Sequence, residues 1–248
     1  MNIFKNIFPE KKLSHPLSLS SLFADMHSHF IPGIDDGAKT LDDSIELIRG
    51  MNGMGFGKII TTPHIQGDFY TNTPEIILNG LTHVRAGVKK AGIPIAVDAA
   101  AEYLLDDRFE EKLKSNNLLT FGDKYILVEL SFFSPNPNLY NLIFNLQIEG
   151  YKVILAHVER YSYWFNDFKK FEELKDRGVF FQVNTISLGG YYSATVKKMA
   201  EKFIDLEMVD FLGSDMHNEN YLHALENART EKYLEKALAS GKLLNAKL

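Results

Sequence analysis

The sequence predicts an α/β fold in which seven parallel strands close, or nearly close, into a barrel with its site at the C-terminal rim. Two observations carry that expectation. Short apolar runs of strand length alternate with helical patterns along the chain, the signature of βα units. At the C-terminal end of every run stands a polar or ionisable residue, and (β/α) barrels gather their reacting groups at that end of the strands.

The strands are expected at 22–27, 58–62, 95–102, 125–130, 152–156, 179–184 and 210–213. Helical patterns lie near 41–54, 74–92, 106–116, 137–149, 167–177 and 193–206, with a last one over about 219–240. The stretch 74–92 is the clearest. Thr73 can cap it, Pro74 suits a first turn whose N–H has no partner, and Gly92 closes it. No repeat or linker breaks the order, so residues 21–248 read as one domain, with residues 1–20 as an N-terminal extension outside it.

The composition narrows the function. The 248 residues are 45% apolar, enough for a real core, and carry a net charge of −5 without a block of Lys or Arg. A nucleic-acid binder would show a basic footprint. There is no cysteine, which removes disulfides, thiolate ligands and every mechanism with a cysteine nucleophile. No apolar run reaches the ~18 residues of a membrane span, and the first residues lack the apolar stretch of a signal peptide. The chain therefore reads as cytoplasmic, and an oligomer is compatible with it.

The strand ends, in order, are His27 and His29 in "DMHSH", His64 in "KIITTPH", Glu102 in "VDAAAEY", Glu129 in "ILVELSF", His157 in "VILAH", Asn184 in "FFQVN", and Asp215 and His217 in "FLGSDMH". Side chains alternate along a strand, so His27 and His29 point the same way, and Asp215 and His217 repeat their spacing. A lone histidine at a strand end is more often a hydrogen-bonded core residue than a ligand. Five histidines with four acids at one rim are metal ligands, and imidazole with carboxylate suits zinc, manganese or iron. The fourth acid is Asp36, the better ligand in the "IDDG" loop, where Asp35 turns the chain. His15, His83 and His223 lie on the extension or on helical patterns and are read as non-ligands.

After the fifth strand comes "AHVERYSYWF". Arg160, three residues beyond His157, is placed to grip a phosphate oxygen with two N–H groups. The alternative is a surface ion pair with Glu159 or Glu173. Tyr161, Tyr163, Trp164 and Phe165 make an aromatic wall that either stacks on substrate or packs a loop on the barrel. The Gly-Gly turn in "SLGGYYS" could cradle an anion through its amides.

His27 and His29, "TTPHI", Glu102, Glu129, "AHVERY" and "GSDMHN" together resemble the PHP superfamily, named for polymerase and histidinol phosphatase domains. Within it, "HSHFIPGIDDGA" is similar to the bacterial tyrosine-protein phosphatases of capsule and exopolysaccharide operons. The resemblance covers about residues 24–218. It implies a distorted (β/α)7 barrel and two or three divalent ions, usually manganese, with iron or zinc as alternatives. It implies a first ion on His27, His29, Glu102 and Asp215. Glu102 would bridge to a second ion on Glu129 and His157, and a third would sit on Asp36, His64 and His217. Arg160 matches a phosphate-gripping arginine, with Tyr161 beside it. A second such arginine is expected soon after the last Asp-x-His, but Leu222 stands there, and Arg229 is the nearest substitute.

The implied reaction is metal-assisted hydrolysis of a phosphomonoester, with Glu102 and Arg160 as catalytic residues. The implied substrate is a phosphotyrosine protein, such as the tyrosine-rich tail of a kinase of polysaccharide export. Two rival readings are a small-molecule phosphatase such as histidinol phosphatase and a metal-binding module without turnover.

Overall fold

The computed structural model describes residues 12–115 and 117–248. Nine strands appear there: β1 (Ala24–Asp25), β2 (Lys58–Thr61), β3 (His64–Ile65), β4 (Ala96–Ala99), β5 (Glu102–Leu104), β6 (Tyr125–Glu129), β7 (Lys152–Leu155), β8 (Phe180–Asn184) and β9 (Phe211–Gly213). Every pairing is parallel, in the orders β1-β2-β4 and β3-β5-β6-β7-β8-β9.

The nine strands are the seven expected lines, two of them interrupted. β2 and β3 are one line broken at Thr62 and Pro63, where proline offers no N–H to a ladder. β4 and β5 are another, broken at Ala100 and Ala101. The register survives both breaks, with Thr61 opposite Ala99 and His64 opposite Glu102. The Ala100 N–H still donates to the Thr61 carbonyl at 2.8 Å, and the Glu102 N–H to that of Pro63 at 3.1 Å. The ring closes between its first and last strands. The Asp215 N–H donates to the His27 carbonyl at 2.8 Å, and the His29 N–H to that of Met216 at 2.9 Å. The fold is a distorted (β/α)7 barrel.

Alternate strand residues serve two cores, as the period of two requires. Ile126 and Val128, Val153 and Leu155 belong to the large cluster under the helices. Leu127 and Ile154 join Met26, Ile60 and Phe211 in a smaller cluster that contains no helical residue and fills the barrel. Glu129 keeps the inward phase of Leu127, and Gln182 and Asn184 keep that of Phe180. The inward phase is thus apolar low in the barrel and polar at the rim.

The helices are α1 (Leu41–Gly53), α2 (Pro74–Lys90), α3 (Phe109–Lys114), α4 (Leu139–Ile148), α5 (Lys169–Asp176), α6 (Thr185–Leu188), α7 (Ala194–Asp205), α8 (Glu219–Ala228) and α9 (Lys232–Ala239). Thr73 caps α2 by accepting the Ile76 N–H, with Pro74 in the first turn, as expected. The expected last helix is instead two, α8 and α9. The break frees the carbonyls of Arg229 and Thr230, which accept the N–H groups of Leu17 and Leu13, each at 2.8 Å. Lys12 pairs with Glu231 at 3.0 Å, and Leu19 is fully buried. Residues 12–20 are therefore tied along the barrel, while the first eleven residues of the expected extension lie outside the described ones.

Candidate active site

Each strand end delivers its side chain to one rim. His27 Nε2 lies 3.1 Å from Glu102 Oε2 and 3.3 Å from Asp215 Oδ1. His29 Nε2 is 3.5 Å from both of these oxygens. His157 Nε2 lies 3.0 Å from the other Glu102 oxygen, and His64 Nδ1 is 3.1 Å from Glu102 and 3.2 Å from Glu129. Asp36 stands 3.5 Å from His64 Nε2 and 3.4 Å from His217 Nε2. Among the described residues four groups emerge, in each of which the ligand atoms all lie within 4.8 Å of one another: His27, His29 and Asp215; His27, Glu102 and His157; His64, Glu102 and Glu129; and His29, Asp36, His64 and His217. Glu102 belongs to two of them, as do His27, His29 and His64, and its two oxygens face different partners: Oε1 toward His157 and Oε2 toward His27, His29 and His64.

These residues fit a cation. The Nε2 atoms of His27 and His29 and Oε2 of Glu102 are buried without a hydrogen-bond partner. Such atoms are costly unless a charge meets them. Burial alone would push Glu102 toward the neutral acid, yet the His27 and His64 imidazoles outweigh it and hold the carboxyl well below its ordinary value. Burial likewise opposes a charge on His27, which Glu102 and Asp215 nonetheless push up to about 9. The backbone is strained at two of these residues. His157 and Asp215 take φ of 33° and 52°, a region that costs L-residues energy and that clusters at functional sites.

An amide relay sets the orientation of the ligands. The Asp215 carboxylate can only accept, so the 2.7 Å contact from Asn184 must come from its Nδ2. The Asn184 Oδ1 then faces Gln182 Nε2, at 2.8 Å. That leaves Gln182 Oε1 toward the His157 N–H at 2.9 Å and His27 Nδ1 at 3.0 Å. An amide oxygen only accepts, so His27 carries a proton on Nδ1, and Nε2, which faces the acids, is the nitrogen left to bind an ion once its own proton is lost. Asp35 does the same for His29, holding Nδ1 at 2.8 Å while accepting the backbone N–H groups of Gly37 and His64. Gly37 makes that fold-back possible: a Cβ there would lie 2.3 Å from the His29 carbonyl oxygen.

Above the rim opens a cleft of about 350 Å³, lined by Asp36, His64, Phe69, Phe132, Arg160 and Tyr221 among others. Arg160 is held on three sides. Its Nη1 is 3.3 Å from Asp215 Oδ2, and its guanidinium lies 4.3 Å from the Phe132 ring centre and 4.2 Å from that of Tyr192.

The sequence profile of the CpsB/CapC family of capsular polysaccharide synthesis matches residues 23–242. The chain belongs to this family. The tyrosine-protein phosphatase YwqE of Bacillus subtilis (strain 168) is 30% identical over 195 residues, spanning 78% of this chain and 77% of that protein. A chain from the crystal structures of YwqE and of CpsB from Streptococcus pneumoniae, described as unique metal-dependent tyrosine phosphatases, matches with a TM-score of 0.80 at 29% identity, covering 88% of each chain. A histidinol phosphate phosphatase of Lactococcus lactis, complexed with zinc, L-histidinol and phosphate, matches with a TM-score of 0.52 at 15% identity, covering 90% of this chain and 93% of that one. That last likeness is one of fold alone.

In this CpsB/CapC chain the nine expected ligand residues converge, and Arg160 reaches the same cleft. Two expected substrate contacts do not. Tyr161 is fully buried, its hydroxyl accepts the Leu130 N–H at 3.0 Å, and its ring packs between Phe132, Tyr163 and Trp164. The side chain is a core strut. Arg229 sits at the far end of α8 from His217, and its Nε donates to the Leu17 carbonyl at 2.5 Å. It fastens the N-terminal segment and does not line the cleft. The ion pair weighed for Arg160 also takes another form. Glu159 is fully buried and accepts the Asn184 N–H and the Ser187 hydroxyl, and Glu173 pairs with Lys170 and Tyr140.

Gln182, Gln66 and Tyr192 escaped the sequence reading. Gln66 donates to Glu129 at 2.7 Å, and the Tyr192 hydroxyl lies 3.2 Å from Asp215. A signal existed for the first: in "FFQVN", Gln182 shares the inward phase of Asn184 within a strand otherwise apolar.

Proposed function

We propose that this protein is a metal-dependent tyrosine-protein phosphatase that hydrolyses phosphotyrosine on a cytoplasmic protein, the tyrosine-rich tail of a polysaccharide-export kinase being the expected substrate. One observation carries the reading. Asp215 lies 3.3 Å from His27 Nε2 through one oxygen and 3.3 Å from the Arg160 guanidinium through the other. A phosphate-gripping cation thus borders a metal rim directly. The kinship to YwqE, a tyrosine-protein phosphatase, supports the same assignment.

His27, His29, Glu102 and Asp215 would hold one ion, with Glu102 shared toward Glu129 and His157. Asp36, His64 and His217 would hold another. Bound manganese, iron or zinc supplies Lewis acidity and an acidified water for in-line attack on phosphorus. The chain supplies the rest. Gln182 and Asp35 keep His27 and His29 in the ligating tautomer. Phe132, Tyr192 and Asp215 orient the guanidinium so that its remaining N–H groups meet the phosphoryl oxygens on which charge grows. The products are tyrosine and inorganic phosphate. A tyrosyl leaving group, with a pKa near ~10, departs with less proton donation than a serine alkoxide needs.

The test is a panel of phosphotyrosine peptide, phosphoserine peptide and histidinol phosphate, each with manganese, iron or zinc restored to chelated protein. Preference for the phosphotyrosine peptide is the expected result. Preference for histidinol phosphate would make the protein a small-molecule phosphatase, and no turnover with any ion would leave a binding module.

A further inference from the structure

Two phenylalanines on the loops after β3 and β6 are widely exposed: Phe69, which lines the cleft on a braced turn, and Phe133, next in sequence to the cleft-lining Phe132. Phe69 is 83% exposed and Phe133 is 96% exposed. A single open apolar side chain is ordinary, but Phe69 shares its cleft with Phe132 and Arg160, and apolar groups gathered at one opening mark a site of interaction. Phe69 lies in a turn after β3 that is closed by two bonds, Gln66 N–H to Tyr70 O at 2.9 Å and Tyr70 N–H to Gln66 O at 3.1 Å. The turn is anchored from outside as well. The Asp106 carboxylate accepts the Gly67 N–H at 2.9 Å, and Arg108 pairs with Asp68 at 2.8 Å.

Phe133 follows Phe132 on the loop after β6. Phe132 gives one ring face to Arg160 and is still 41% exposed. Phe69 and Phe132 line the same cleft as Arg160. The cation therefore lies deeper, at the ligand rim, and Phe69 and Phe132 stand at the mouth, with Phe133 beside Phe132 in the chain. A ligand matching that order carries an anion at the tip of an apolar stem and further apolar groups at its base. A phosphotyrosine in a peptide has this order. A small alkyl phosphate lacks the stem.

Resting on the phosphatase reading above, we infer that Phe69 and Phe133 form an aromatic mouth that binds the tyrosyl ring and its neighbouring peptide side chains, and so set the preference for aryl phosphopeptides. They act on substrate capture and leave phosphate binding to Arg160 and the ions.

The experiment compares wild type, Phe69→Ala, Phe133→Ala and the double variant, all metal-loaded. The substrate is a phosphotyrosine peptide with apolar neighbours, and inorganic phosphate serves as a competitive inhibitor. Wild type is read first: failure to cleave the peptide defeats the phosphatase reading, and the inference with it. If wild type cleaves, the double variant should raise KM at least about fivefold at nearly constant kcat, with the inhibition constant of phosphate unchanged. Phe144→Ala, which removes a 58% exposed phenylalanine on α4 outside the cleft, should leave KM unchanged. A double variant with wild-type KM would overturn the inference. So would a loss in which KM and the phosphate constant rise together, because the mouth would then be acting on the phosphate subsite.

Discussion

The Asp35 carboxylate stands 2.8 Å from Nδ1 of His29 and holds that imidazole with its other nitrogen turned to Glu102 and Asp215. Burial works against the charge on Asp35, but His29 and the Gly37 N–H bring its pKa down to about 2. It is ionised at any working pH. Asp35→Ala removes the group that orients a ligand without removing a ligand. Metal affinity should fall by roughly 10–100-fold, as for other carboxylates behind metal-binding histidines. Titration of chelated protein with manganese or zinc measures it, and wild-type affinity would reduce Asp35 to a turn residue.

Glu102→Gln keeps size and loses charge at the carboxylate shared by two ligand groups. Wild type should contain two or three ions, since one ion needs only about four to six ligands. The variant should lose at least one of them together with turnover. Elemental analysis decides this, and full occupancy in the variant would refute the bridging assignment.

Arg160→Lys keeps the charge and loses the planar fork. It also loses the stacking between Phe132 and Tyr192. A fall in kcat/KM of at least about tenfold, or roughly 1.4 kcal/mol, is expected with metal content unchanged. Arg229→Ala should lower Tm by releasing Leu17 while leaving kcat/KM within about twofold of wild type. Comparable kinetic losses in both variants would return Arg229 to the substrate.

Tyr161→Phe strands the buried Leu130 N–H, which then costs about 1–3 kcal/mol. Urea denaturation should show that loss, and KM for a phosphotyrosine peptide should stay at the wild-type value. A raised KM would mean that the hydroxyl meets substrate after all.

The pH dependence of stability should differ between chelated and metal-loaded protein. His27 is raised from 6.5 to about 9 by Glu102 and Asp215 against the opposing effect of burial. In chelated protein its contribution is fully present below pH 6.5 and is lost as pH rises through about 9. An ion instead requires the neutral imidazole, so its stabilisation grows as pH rises through the same window. The gap in Tm between the two forms should therefore widen from pH 6.5 to pH 9. A constant gap by calorimetry would count against His27 as a ligand.

The strand ends were legible because a barrel sends one class of residue to one rim. His27, Glu102 and Asp215 each end an apolar run, and the run length alone places them. The breaks at Pro63 and Ala100 were not read, because the register carries across them and the apolar pattern does not falter. Tyr161 does lie near His157, with ring centres 5.8 Å apart, but its hydroxyl is spent on the Leu130 N–H inside the core, whereas Arg229 is simply far from His217. Tyr161 turns into the core one residue after Arg160, and ten residues of helix carry Arg229 away from the rim. Gln182 is harder still, since its role depends on Asn184 and Asp215 fixing the direction of its amide.

The ring is sealed where His27 and His29 meet Asp215 and Met216. The earliest ligands in the chain and the latest thus lie on one seam. A ribosome releases the sequence from its N-terminus, so most of the chain has emerged before Asp215 and His217 exist. The ions assigned to Asp215 and to His217 cannot gain their full set of partners on such an unfinished chain. Those two sites are complete only when the last strand has joined the first.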